Sequence, residues 1–284
     1  MKTLLLGNQK GGVGKSFVNC QLSYFLANAG LRVLNLELDH QKNTSRSIMR
    51  SGWATLAAYP ASAVLASVVQ PLPDGAFVAV EGDDGLTALE RTPDQHNAYV
   101  NALRRFLDAA ASHFDVCIID TNPNPDIRYV AAMVTADFLL SPIELNQEAI
   151  DGIASMLHHP RFGYYKIKRV MNPSLELIGI LPNMVEATPF QRSNLTQLVT
   201  QFSSLLIRLE GETVKFASIP TRTAIAEAQA AGVPLWLLRQ AVPADQLGKI
   251  APGQMPIRTA ARDAWREVKP AFVAIASRMG LQVQ

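Results

Sequence analysis

The 284 residues carry 26 Lys and Arg against 24 Asp and Glu, a net charge of +2, and 48% of them are hydrophobic. Such a chain can bury a large core and is not a disordered one, while its near-neutral charge leaves any nucleic-acid contact to a local patch. No apolar run reaches the length of a membrane span, the first eight residues lack a secretory signal's cationic start, and there are only two cysteines, so a cytoplasmic protein is expected.

Thr3 to Leu6 is a short apolar run, as a strand buried on both faces of a parallel sheet requires. Asn8-Gln9-Lys10-Gly11-Gly12-Val13-Gly14-Lys15-Ser16 follows, and Ser16 to Ala29 then carries apolar residues at helical spacing, ending near Gly30. Strand, glycine-rich loop and helix in that order form the setting of a phosphate-binding loop. Glycines 11, 12 and 14 let backbone N–H groups approach phosphate oxygens, and the helix N-terminus adds partial positive charge. Lys15 is placed to reach the β- and γ-phosphates and the Ser16 hydroxyl to ligate Mg²⁺.

Arg32 to Leu38 reads as the second strand and runs into Asp39-His40-Gln41; short helices are expected within residues 50–75. Phe77 to Val80 and Leu86 to Leu89 read as short strands around the turn Gly82-Asp83-Asp84-Gly85, and Asn97 to Phe114 as an amphipathic helix. Val116 to Asp120, Phe138 to Ile143 and Leu175 to Leu181 read as buried strands, with helices at about 126–135 and 146–157. Asp120 ends its strand in the manner of a Walker B aspartate, at the edge where open α/β sheets bind ligands. Helices are expected at 189–208 and at Ile225 to Ala231, with a further edge strand approached from Thr213 to Ile219. Residues 233–257 hold four prolines and read as irregular; Arg258 to Met279 reads as a last helix that Pro270 should kink or divide. The alternation of strand and helix predicts an α/β fold with a doubly wound, mostly parallel sheet. A single domain over 1–284 is expected, less regular over about 236–284. Cys20 and Cys117 fall inside a predicted helix and strand, as buried free thiols do.

The loop departs from the general G-x-x-x-x-G-K-[ST] pattern: Gln9 stands where the first glycine would, and Lys10 directly precedes Gly11. In this it resembles the deviant Walker A group of P-loop ATPases, and most of all the ParA branch. The resemblance implies that Gly11, Gly12, Val13, Gly14, Lys15, Ser16 and Phe17 hold ATP, and that Ser16, Asp39 and Asp120 surround Mg²⁺. It implies that Lys10 crosses a homodimer interface to the partner's nucleotide, and that Asp39, in a run similar to the family's D-P-Q segment, positions the attacking water. Glu37 stands where the family usually has another aspartate, and Asn122 where it often has a proline. Asn183 and Pro220 match segments that meet the adenine; an amide such as Asn183 could equally serve neighbouring backbone.

By the same resemblance the expected activity is weak ATP hydrolysis in DNA segregation, on non-specific DNA in the nucleoid, stimulated by a ParB-like centromere-binding partner. Arg258, Arg262, Arg266 and Lys269 recur at helical spacing and are the candidate DNA contacts; Lys166, Lys168 and Arg169 form a second basic cluster. With the loop beginning at residue 8, no N-terminal helix-turn-helix is expected. A MinD-like membrane-cycling ATPase would need a basic amphipathic C-terminus, whereas Phe272 to Gln284 offers only Arg278. An iron–sulfur carrier would need paired interface cysteines. A ParA-like positioner of a protein cargo would share the same ATPase part and stays open. His158-His159 reads as a pair of surface histidines at a helix end, not a metal site.

Overall fold

Leu4, Leu5 and Leu6 are wholly buried at the centre of a parallel sheet, in a computed structural model that describes residues 1–211, 215–240 and 256–283. The elements in chain order are β1 (Lys2–Leu6), α1 (Lys15–Asn28), β2 (Val33–Leu38), α2 (Asn43–Ser51), β3 (Thr55–Leu56), α3 (Ala61–Leu65) and β4 (Phe77–Val80). After a 3-10 helix at Asp84–Arg91 come α4 (His96–Ala110), β5 (Val116–Thr121), α5 (Ile127–Thr135), β6 (Phe138–Glu144), α6 (Gln147–His158), α7 (Tyr164–Val170) and β7 (Glu176–Asn183). The rest is α8 (Pro189–Phe202), a two-residue antiparallel pair of β8 (Arg208–Leu209) and β9 (Lys215–Phe216), α9 (Thr223–Ala231) and α10 (Thr259–Arg278).

The large sheet has seven strands among the described residues, in the order β3-β4-β2-β5-β1-β6-β7, every pairing parallel. Apolar residues cover both faces: α3 to α7 on one side, α1, α9 and α10 on the other. This is the doubly wound fold expected from the alternation of elements. Helix α1 buries Phe17 to Leu26 nearly all round, because it lies between the sheet and α10, where Phe25 meets Trp265 and Phe272.

Several expectations are corrected. Leu86 to Leu89 is part of the 3-10 helix, not a strand: Leu86 and Leu89 stand three apart and both are buried, the spacing that eclipses side chains on such a helix. The helix expected over 189–208 ends at Phe202, where Leu206 and Ile207 turn into the core ahead of β8. Pro270 does not divide α10, which stays one helix while Val268, Ala271, Phe272 and Ile275 pack on the core. Within residues 50–75 a single five-residue helix, α3, follows the end of α2. Of the edge strand approached from Thr213, only Lys215–Phe216 is strand among the described residues, and it lies outside the large sheet. Most of the stretch expected to be irregular, 241–255, lies outside the described residues.

Strand register positions the site. Leu6 pairs with Asp120, and Glu37 pairs with Asp120 from the other side. The carboxylates at the ends of β2 and β5 are thereby brought beside the loop that leaves β1.

Candidate nucleotide site

Gly12 and Gly14 adopt φ of +79° and +78°, a conformation that favours glycine. At Gly14 a side chain would also collide with the Asn183 amide, whose Nδ2 lies 2.2 Å from the position of a Cβ. Asn183 is buried at the end of β7 and donates from Nδ2 to the Val13 carbonyl at 2.8 Å. Of the two roles open for this amide, the structure shows the contact with backbone.

Lys15 is buried, and its Nζ donates to the carbonyls of Asn8 and Lys10, each at 3.3 Å. Burial pushes its pKa down, and the charges of Asp120 and Asp39 partly restore it. The amine is thus held over the loop by weakly placed carbonyls, poised to exchange them for phosphate oxygens.

Asp120 is buried with one oxygen occupied and one not. Oδ2 accepts from Ser16 Oγ at 3.1 Å and from Thr44 Oγ1 at 2.5 Å, while Oδ1 has no partner. Burial raises its pKa, with hydrogen bonds from Thr44 and Ser16 and the Lys15 charge opposing. Gln9 Nε2, Thr121 Oγ1 and Asn122 Oδ1 are also buried without partners, so unsatisfied polar atoms gather around the loop. An orphaned carboxylate oxygen beside a serine hydroxyl fits Mg²⁺, which takes one or two protein ligands and completes its shell with phosphates and water. Among the described residues no three His, Cys, Asp or Glu side chains cluster as a metal cage, which Mg²⁺ at a P-loop does not need.

Asp39 follows β2, with Oδ1 accepting from the Gln41 N–H at 3.0 Å and standing 3.4 Å from His40 Nδ1. Its carbonyl lies only 2.1 Å from where a side chain on Gly82 would begin, so Gly82 lets the two segments approach. Glu37 does not face the nucleotide loop's glycines. It is buried beneath α2, accepting from the N–H groups of Thr44 and Ser45 at 2.9 and 2.8 Å and from the Ser45 hydroxyl. A carboxylate there satisfies the open N-terminus of α2. Burial, then the neighbouring Asp120, raises its pKa from 4.5 to about 7 against those hydrogen bonds. Thr44 is the site residue that sequence reading missed. The signal was the run Asn43-Thr44-Ser45, residues that favour a helix start, directly after Lys42.

Asn122, where the resembled family often has proline, donates to Asp126 Oδ2 at 2.9 Å, and the Arg128 guanidinium grips the same carboxylate. Lys10 is directed away from the loop: its Nζ lies 2.8 Å from Glu148 Oε2 and 3.4 Å from Asn146 Oδ1. Beside the loop a cavity of about 730 Å³ is lined by Phe17, Asn183, Met184, Phe190, Pro220 and Ile225 among others, wide and apolar enough for a purine. Pro220 and Phe17 line it together with Asn183, which bonds the loop.

Two of the four cations of the α10 stripe are paired, and the helix also meets Arg222 at the edge of this cavity. Arg258 pairs with Glu227 of α9, Arg266 with Asp263 at 3.0 Å, and Glu267 of the same helix with Arg222 at 2.7 Å. Cys20 and Cys117 are buried free thiols with pKa values pushed up by burial. Among the described residues no helix is long and apolar enough to cross a membrane.

The fold and the loop define a P-loop nucleotide-binding protein, and a family model described as "AAA domain" matches residues 1–177. Protein IncC of Escherichia coli is 31% identical over 277 residues, covering 95% of this chain and 67% of IncC. The chromosome-partitioning ATPase Soj of Thermus thermophilus is 28% identical over 242 residues, 82% of this chain and 86% of Soj. Among solved structures, a Cyanothece McdA–ATP complex superposes with a TM-score of 0.74 over 100% of this chain and 98% of McdA, at 18% identity, a likeness of fold. The chain belongs to the ParA family of deviant Walker A P-loop ATPases.

Proposed function

We propose that this chain, as a single domain, is an ATPase of DNA partition. Two protomers enclose ATP between them, the dimer associates with DNA without sequence preference, and a centromere-binding partner stimulates hydrolysis and release. The similarity to IncC and to the partitioning ATPase Soj supports the role. The observation that carries the dimer is the division of labour between two lysines. Lys15 is buried over its own loop, whereas the half-buried Lys10 amine lies outside it on Glu148, whose side chain is 83% exposed.

In this reading Lys15 binds the β- and γ-phosphates, the N–H groups of residues 11–16 cradle them, and Phe17 and Pro220 flank the base. Ser16 and Asp120 hold Mg²⁺, with Thr44 fixing Asp120 and Asp39 nearby; the ion supplies neutralisation of phosphate charge when bound. Asp39 orients the attacking water, and Lys10 supplies charge to the partner's nucleotide. ATP-dependent sedimentation as a dimer, together with ATP-enhanced duplex binding, is the expected result. A chain that stays monomeric at saturating ATP overturns the reading.

A further inference from the structure

Between Asp151 and Glu176 lie 24 residues without a single Asp or Glu, and among them are Arg161, Lys166, Lys168, Arg169 and two histidines. The rest of the chain then carries two more acidic than basic residues, so the basic character of the protein is concentrated here. The fold gathers Lys166, Lys168, Arg169 and the two histidines around one concavity of about 740 Å³, bounded by the C-terminal end of α6, by α7 and by Pro160 and Pro173, with Arg161 next in the chain after Pro160. Arg161, Lys166 and Arg169 are exposed, and among the described residues none of them meets a carboxylate within ion-pair distance. That contrasts with the α10 stripe, where two of the four candidate cations are paired.

One structural account of basic residues here is complementarity to the C-terminus of α7, whose last turn holds Lys168 and Arg169. Lys168 fits it: its Nζ donates to the Leu175 carbonyl at 2.6 Å, and it lies over the Tyr164 ring. Arg161 and Lys166 stand outside that turn and have no such duty.

The cleft lies far from the nucleotide. Helix α6 begins beside Lys10 and runs 12 residues before reaching His158, a rise of about 18 Å. Likewise β7 spans eight residues between the end that Lys168 approaches, at Leu175, and Asn183 behind the loop, roughly 26 Å. Its charges are therefore assembled within a single protomer, at a distance from the nucleotide loop.

We infer that the α6–α7 cleft binds the phosphate backbone of duplex DNA and supplies a nucleotide-independent share of its affinity. This deepens the partition reading and rests on the DNA association proposed there. Unpaired Lys and Arg around a concave surface suit a polyanion of regular charge spacing. A lipid surface is the lesser fit, because α7 has only seven residues and shows only Tyr165, Val170 and Met171 as exposed apolar groups in this region.

The test replaces Arg161, Lys166 and Arg169 together by Gln and leaves Lys168 in place. Binding to a mixed-sequence duplex is followed by fluorescence anisotropy over a salt series, without nucleotide, with ADP and with ATP. Three phosphate contacts contribute a slope of about −2.7 in log K against log salt. The variant is expected to bind about 10-fold more weakly and to lose most of that slope in every nucleotide state, with ATP affinity and melting temperature unchanged. Equal affinity and slope for variant and parent overturn the inference. So does retention of the parent protein by phosphatidylglycerol vesicles but not by duplex. If ATP adds nothing to parent binding while the variant still binds more weakly, the partition cycle fails and the cleft stands.

Discussion

Lys10 Nζ and Glu148 Oε2 lie 2.8 Å apart within one protomer, an ion pair on the rim of the nucleotide loop. The lysine side chain is 32% and the glutamate 83% exposed, so the pair contributes only about 0–1 kcal/mol. It therefore holds Lys10 loosely. If Lys10 serves a second protomer's nucleotide, Glu148→Ala should strengthen ATP-dependent dimerisation by up to about 5-fold while changing fold stability by less than about 1 kcal/mol. Sedimentation with ATP reads the first quantity and urea unfolding the second. Lys10→Ala should abolish the dimer and leave ATP binding intact.

Lys15→Ala removes the amine that sits over the loop on the carbonyls of Asn8 and Lys10. Losing a charged donor to two phosphates should weaken ATP binding by about 100-fold or more. Calorimetric titration of ATP checks this, and unchanged affinity would exclude the loop as the phosphate site.

Asp39→Ala should keep ATP affinity within about 3-fold, since the proposed role is to aim water rather than to hold phosphate. Single-turnover hydrolysis should fall by about 100-fold or more. Turnover at the parent rate would leave Asp39 without a catalytic part.

Asn183 carries a prediction that separates its two roles. Its Nδ2 contact with Val13 is buried, so Asn183→Ala should leave a backbone carbonyl unsatisfied and cost about 1–3 kcal/mol. Affinity should fall alike for ATP and GTP, because the defect lies in the loop and not in base recognition. A loss confined to ATP, with stability unchanged, would return the residue to the adenine.

Glu37 makes stability depend on pH. Below about 4.5 its carboxyl is protonated folded and unfolded alike, and no penalty applies. Between 4.5 and about 7 the unfolded chain ionises first, so stability falls as pH rises. Above about 7 the whole penalty, about 3 kcal/mol, is present. Urea unfolding across this range should show the decline, and Glu37→Gln should flatten it.

The sequence made the central site legible because its parts are chemically singular. Gly12 and Gly14 need positive φ, Lys15 and Ser16 stand at fixed positions after them, and Asp120 closes an apolar strand. Elements whose identity depends on tertiary partners were not legible. Helix α7 buries only Tyr164 and Ile167 and exposes four of its seven residues, so it shows little periodicity. Leu86 and Leu89 form a 3-10 turn because both reach the core, which a four-residue window cannot distinguish from a strand. The contact of Thr44 with Asp120 joins residues 76 apart, and the burial that makes Glu37 a cap for α2 arises only when β2 and β5 pair.

The hydrogen bond from Asn183 to Val13 spans 170 positions of the chain. The loop at the beginning of the protein is thus braced by a side chain from its far half, on the last strand of the sheet. During synthesis the glycine-rich segment emerges early, but this brace is absent until that strand has been made and has docked beside β6. The loop's set of contacts is therefore completed late in the protein's birth, once nearly two thirds of the polypeptide exists.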